Sequence, residues 1–476
     1  MTRFLWLLVW FGASCTKDNE SGESAVDSSE SAAMVDTGDT AAESPSGHDN
    51  EDYRSAKWCA ECHPTQYSEW EQSMHRYAAH SPVFDHMTAR AVRDTAGGNG
   101  AFCTGCHTPL GTMDGEPGTT MAADRSDISL EGVTCVVCHQ AVATEAPLGN
   151  TSLTLDLDGP MQGPFGSTVP AGHPSSKGEI IDTPELCGSC HDVFAFPALR
   201  IEEAYTEYVE SPAAENGVRC QDCHMSTSPG IPTSRPVGKA AVMEGVDLPD
   251  RSLSSHRFIG PDYSLLDGFP YADPDRSAEA TEELKGQIET LLEHAIHIQS
   301  VTFEPGPESS SLQVVLESLT PGHRVPTGFT SERQLWIHAQ VWHEGEIVWE
   351  SGELDTFGDL KDSLSWDVAS GDAVEDHQLV NLQSKNLIRV GEVGISDPEV
   401  YETVFPFDAN TINRRSLEPL EVRPHTYVLP GLPDGVSVTV ALKYRNLPPY
   451  VLRELGLESL TDRLVTFTID TVELVD

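Results

Sequence analysis

Ten of the eleven cysteines stand in five pairs, each with a two-residue gap and each continuing into histidine. The five runs are Cys59-Ala-Glu-Cys62-His63, Cys103-Thr-Gly-Cys106-His107, Cys135-Val-Val-Cys138-His139, Cys187-Gly-Ser-Cys190-His191 and Cys220-Gln-Asp-Cys223-His224. This is the spacing that attaches a c-type haem. Two thiols add to the two vinyl groups on one porphyrin edge, and the next residue offers its imidazole to the iron from one face. Other uses of paired cysteines fit less well. Zinc knuckles would not require a histidine after every second cysteine. Iron–sulfur ligation does not need it either. Two-residue disulfide loops are redox-active, and five in one chain would be odd. The pattern therefore implies five covalent haem c groups, with His63, His107, His139, His191 and His224 as proximal ligands.

The second axial position of each iron is harder to read. The chain holds eighteen histidines and nine methionines, so thirteen histidines remain as candidates. After His63, Pro64 suits a first helical turn. Tyr67, Trp70, Met74 and Tyr77 then fall on one helical stripe, with His75 at its border. His75 is read as a ligand, against the alternative of a surface or satisfied core histidine; His80 and His86 are weaker candidates. His173, in Pro170-Ala-Gly-His173-Pro174, is either a turn residue or a ligand reaching over a haem. His256, in Ser254-Ser255-His256-Arg257-Phe258, is either a strand-edge residue or a ligand. A second imidazole gives a lower potential than methionine at the same place.

The elements that must position these residues divide the 476-residue chain into unlike parts. A hydrophobic share of 38% makes a thin core for this length. Porphyrins would supply apolar filling for residues 58–226, where regular secondary structure is modest. Residues 276–296 are rich in helix formers and read as one helix. Beyond about 297 the pattern turns to period two. Ser311–Glu317, Gln334–Trp342, Glu346–Trp349, Ser437–Tyr444 and Leu464–Val475 read as strands separated by Gly and Pro. The expected fold is multidomain: a haem-packed, mostly α and irregular cytochrome domain over 57–265, a connecting helical segment over 266–296, and an all-β antiparallel sandwich over 297–476.

The amino terminus reads as an address. Arg3, the apolar run Phe4–Phe11 and the small residues Gly12-Ala-Ser14 form a secretory signal over 1–14. Cys15 then sits where a lipoprotein cleavage box places its lipidated cysteine, with Thr16 rather than Asp behind it. An outer-membrane lipoprotein, periplasmic or on the cell surface, is expected, held to the membrane by its lipid alone. Residues 16–56 carry eleven acidic side chains against Lys17 and Arg54. They read as a disordered, self-repelling tether with a reach of roughly 35–40 Å. The formal charge of −46 excludes a nucleic-acid partner and favours redox proteins with a basic docking face.

The run Cys59–Pro64 with Trp70, Ser73, His75 and Pro82-Val83-Phe84 resembles the cytochrome c-554 group of bacterial multihaem cytochromes, in the form with a carboxy-terminal β domain. The resemblance continues in Gly132-Val133-Thr134-Cys135, in Cys220-Gln-Asp-Cys223-His224-Met225 and in His256-Arg257-Phe258-Ile259-Gly260. It covers roughly 57–265, with one further match in Gly322-His323-Arg324-Val325-Pro326-Thr327-Gly328. It implies electron transfer, histidine on both faces of most haems, and His75, His173 and His256 as distal ligands. His323 is either part of a Gly/Pro turn beside Leu335-Trp336 or a ligand reaching a haem across the domain boundary. Related enzymes reduce nitrite, usually with lysine in place of the motif histidine at the active haem. All five motifs here end in histidine, which counts against that activity. The expected function is an electron carrier without a catalytic residue. The alternative is an oxidoreductase in which one open-coordination haem acts on a small nitrogen or sulfur compound.

Overall fold

The computed structural model describes residues 54–97, 100–166, 172–195, 199–391 and 399–475. The signal segment, Cys15 and nearly all of the acidic tether lie outside these residues. The described residues fall within one compact unit.

From Ala56 to His224 the chain is a series of short helical turns joined by loops and two-stranded pairs. Proline opens many of these turns: Pro64, Pro82, Pro109, Pro184 and Pro212 all stand at the helix start, where the missing N–H is not needed and φ is already set. Three motifs are themselves helical turns, Thr104–His107, Cys135–His139 and Cys220–His224. In the others the histidine N–H closes onto the first cysteine: His63 on Cys59 at 2.9 Å and His191 on Cys187 at 2.9 Å. That turn brings residues i, i+3 and i+4 to one side, so both thiols and the imidazole face the same space.

The stripe after His63 is not one helix. A helix over Pro64–Glu71 stops, and a second turn over Met74–Tyr77 begins after an extended Ser73. The Ser73 hydroxyl donates to the Trp70 carbonyl at 2.8 Å and closes the first helix end. Trp70 donates from Nε1 to the Val133 carbonyl at 2.8 Å. The tyrosine at the far end, Tyr77, accepts the Leu265 N–H at 3.0 Å. Trp70 and Tyr77 thus meet different segments.

The helix Pro274–Glu293 is capped by Asp273, whose carboxylate accepts the Asp275 N–H at 3.1 Å. Strands follow at β1 (Ile296–Glu304), β2 (Ser309–Ser318), β3 (Gln334–His343), β4 (Glu346–Ser351), β5 (Lys385–Val390), β6 (Glu399–Thr403), β7 (Thr411–Asn413), β8 (Val422–Pro430), β9 (Ser437–Arg445) and β10 (Phe467–Val475). They form antiparallel sheets in the orders β8–β2–β1, β4–β3–β9–β10 and β6–β5–β7. Alternate residues Leu312, Val314 and Leu316 of β2 are fully buried, as are Leu335, Ile337, Ala339 and Val341 of β3 and Val440 and Leu442 of β9. These inner faces share one core, which makes the first two sheets a sandwich. Two of its strands carry no clear sequence signal. β1 follows the helix at once, so the alternating stretch merges with the helix end. β8 contains Pro424 and Pro430, which only an edge strand accepts, and β8 is an edge.

The two regions are sewn together. Tyr263 and Leu265, just beyond the last motif, are buried in the sandwich core, and the Val465 N–H donates to the Tyr263 hydroxyl at 2.6 Å. The Ala213 N–H donates to the Pro321 carbonyl at 3.0 Å. Glu207 accepts the Arg324 N–H at 3.1 Å and the Thr327 hydroxyl at 2.6 Å, which fixes the Gly322–Gly328 loop against the motif region.

Candidate functional site

Imidazole rings that the sequence scatters over 260 residues come together in pairs. His63 faces His173 with ring centres 6.3 Å apart, His139 faces His256 at 6.3 Å, His191 faces His75 at 6.4 Å, and His224 faces His323 at 6.2 Å. Each pair joins one motif histidine to one histidine from elsewhere. Two metal–nitrogen bonds of about 2 Å, plus the distance from each nitrogen to its ring centre, give a separation of roughly 6 Å. One metal atom therefore fits between the rings of each pair.

The hydrogen bonds set the tautomer. His63 donates from Nδ1 to the Ala240 carbonyl at 2.8 Å, His139 to Gln162 at 2.7 Å and His224 to Ile259 at 3.0 Å. His256 donates to the Ser254 carbonyl at 3.1 Å and His323 to the Arg324 carbonyl at 2.8 Å. Nδ1 of His173 contacts the Pro174 carbonyl and the Ser175 hydroxyl, both at 3.1 Å. With the proton on Nδ1, Nε2 carries the lone pair that a metal takes. Burial favours the neutral form of His63, His75, His107, His139, His224, His256 and His323. It pushes His75 down to about 3 and His107, His224 and His256 down to about 4. His191 is the exception: burial pushes it down, but the hydrogen bond and charge of Glu202 outweigh that and hold it above the usual value.

Distant segments hold these rings in place. The pair Val237–Lys239 and Asp250–Ser252 delivers Ala240 to His63. The His256 N–H donates to Glu69 at 2.7 Å. His75 rests on the Gly132-Val133 turn, where the Val133 N–H donates to the His75 carbonyl at 3.0 Å. Gly132 has φ of +62°, and a Cβ there would lie 2.4 Å from that carbonyl oxygen. Only glycine fits, both for its backbone angle and for the close approach.

The second motif differs. Among the described residues, His107 has no imidazole at the corresponding distance. Its ring neighbour is Phe84, with centres 4.1 Å apart and planes 2° from parallel. Its Nδ1 is buried with no partner of hydrogen-bond geometry, and the Ala78 carbonyl interacts with it only loosely. Phe84 is held by the buried Arg125–Asp85 pair at 2.6 Å, whose guanidinium lies 5.2 Å from the Phe84 ring centre. His80 also keeps a buried Nε2 without a partner, beside Phe269. His86 turns back on its own helix and bonds the Pro82 carbonyl at 2.9 Å.

All ten motif cysteines are free of disulfides. The motifs adjoin one another: the helix Ala56–Ala60 packs on Cys135–His139, the Cys106 thiol contacts the Thr151 hydroxyl at 3.0 Å while the Thr151 N–H donates to the Ser189 carbonyl at 2.8 Å, and the Gln221 side chain donates to the Thr183 carbonyl at 2.7 Å. The unpaired thiols, the neutral imidazoles and the metal-sized gaps together fit covalently held haem.

Glu202 and the carbonyls of Ala240, Gln162 and Ile259 are the partners that sequence reading did not find. A carbonyl has no sequence signature, and Glu202 is distinguished only by the hairpin that carries it.

Residues 58–140, which span the first three motifs, match the family model of cytochrome c554 and c-prime. No curated protein matches the chain. Among solved structures, a penta-heme cytochrome c552 from Thermochromatium tepidum has a similar fold, with 18% identity, a TM-score of 0.54, and coverage of 89% of this chain and 98% of that one. No helix of the described residues is long and apolar enough to cross a membrane. Residues 58–140 thus carry the cytochrome c554 pattern, and the chain shares its fold with a multihaem cytochrome and has a carboxy-terminal β region.

Proposed function

We propose that the chain is an exported pentahaem cytochrome that carries electrons between redox partners in the cell envelope, tethered by a lipid on Cys15. The observation that carries this reading is the set of four facing imidazole pairs at 6.2–6.4 Å. Haem bound there supplies a one-electron iron couple. The chain's residues do the rest. The ten thiols of Cys59 through Cys223 hold the porphyrin edges. His63 with His173, His139 with His256, His191 with His75 and His224 with His323 would each hold one iron between them, which would leave it no place for a substrate. The Nδ1 hydrogen bonds fix ring orientation. The first motif adjoins the third, the second adjoins the fourth and the fourth adjoins the fifth, which suits electron hopping. The net charge of −46 suits a partner with a basic docking face. Protein matured with a working haem-attachment system should carry five haems by mass and absorbance, at least four of them low-spin. Fewer haems, or fewer low-spin signals, would overturn the reading. Labelled palmitate that fails to enter the wild-type protein, or enters a Cys15→Ala variant equally, would overturn the anchor.

A second reading is favoured by His107 alone. Because no imidazole is paired with it, the second motif is the place where an iron could keep an open position and act on a small nitrogen or sulfur compound. Carbon monoxide added to the reduced protein separates the two: one haem per chain should change its spectrum if the position is open, and none if the protein is purely a carrier.

A further inference from the structure

Three of the four paired motif histidines donate Nδ1–H to a neutral backbone carbonyl, and His191 alone donates to a carboxylate, Glu202, at 3.0 Å. The placement is built into the fold. Residues 193–195 and 199–202 form an antiparallel pair in which Val193 stands opposite Glu202. A carboxylate opposite the second residue after His191 reaches back to the ring. Glu202 is only 8% exposed, so water screens its charge weakly. The adjacent acid, Asp192, is matched by Arg200 at 3.2 Å and by the Thr206 hydroxyl at 2.7 Å, and is not free to share the role.

We propose that Glu202 makes the haem of the Cys187–His191 motif the low-potential junction of the chain. A carboxylate that accepts the Nδ1 proton raises the basicity of the other ring nitrogen and stabilises the ferric iron that it binds. The step concerned is a single electron from a neighbouring haem taking this iron from ferric to ferrous, with no bond made or broken. The junction follows from the packing around this motif. The Cys106 thiol contacts the Thr151 hydroxyl at 3.0 Å, and the Thr151 N–H donates to the Ser189 carbonyl at 2.8 Å. The Gln221 side chain donates to the Thr183 carbonyl at 2.7 Å, at the start of the helix that carries Cys187, so this site adjoins both the second and the fifth motif. Electrons would rest on its neighbours and cross it as a step uphill. The inference rests on haem c being bound at this motif, as proposed above.

The test is a redox titration of the intact, haem-loaded protein followed by absorbance and electron paramagnetic resonance. In Glu202→Gln the amide oxygen still accepts the His191 proton, so the fourth site becomes like the three carbonyl sites while the charge is lost. One midpoint potential should rise by an amount equal to a tenfold or larger change in the reduction constant, about 59 mV for one electron. Glu203→Gln removes the same charge one residue away without touching His191, and should move that potential far less. Five haems with all potentials unmoved in Glu202→Gln would overturn the proposal. So would equal shifts in the two variants, or a loss of low-spin signal in Glu202→Gln, which would mean that the carboxylate only holds the ring in place. A wild-type protein without haem on Cys187 and Cys190 is a different failure, that of the underlying reading, and the haem count shows it before any titration.

Discussion

The motif region and the sandwich solve the same problem, the offset of backbone entropy, with different materials. Among the described residues, the sandwich and the segments packed on it bury thirty side chains in one cluster, from Tyr263 to Phe467, and the separate cluster within the motif region has only Leu110, Val136 and Val137 fully buried. The strands of the sandwich run to ten residues, whereas several motif-region helices are single turns of four or five. A fold with so little apolar contact of its own needs another source of buried surface. On the function proposed above, haem held by the facing histidines and paired thiols is that source: one region would be held by its side chains, the other by what its side chains bind.

The sharpest way to break this comparison is to withhold haem. Protein made without haem attachment should lose protease resistance over 54–260 and keep it over 297–475; limited proteolysis read by mass spectrometry checks this, and equal cleavage of both regions would sink it. The next largest effect is Leu312→Ala, deep in the sandwich. It should cost about 2–5 kcal/mol in denaturant unfolding, while the potentials of the His63, His139 and His191 haems stay put. Gly132→Ala should cost at least about 1–3 kcal/mol, from backbone strain and the approach to His75. Unlike Leu312→Ala, it should also weaken one low-spin signal, because the turn under His75 shifts. The smallest effect on stability, and the most local, is His323→Ala. One low-spin haem should become high-spin while the sandwich melts as before; unchanged spectra would reduce the Gly322–Gly328 loop to a turn.

Much of the sandwich was legible, because burying one face of a strand forces alternation. Leu312, Val314 and Leu316 announce β2. β8 was not legible, because Pro424 argues against a strand unless its edge position is known. In the motif region the attachment residues could be read individually, since covalent chemistry fixes their local spacing. His75, His173, His256 and His323 could be named as candidates but not matched to partners. His75 precedes four of the motifs along the chain, yet it faces His191 of the fourth.

Local chemistry writes itself into sequence: thioether attachment demands C-x-x-C-H within one helical turn, and the amino acids alone determined that. The facing of one imidazole on another, the carboxylate behind His191 and the stacking of Phe84 on His107 are contacts between separate segments of the chain. No spacing rule constrains such contacts. They exist only once the segments have packed, and so the tertiary structure alone decided them.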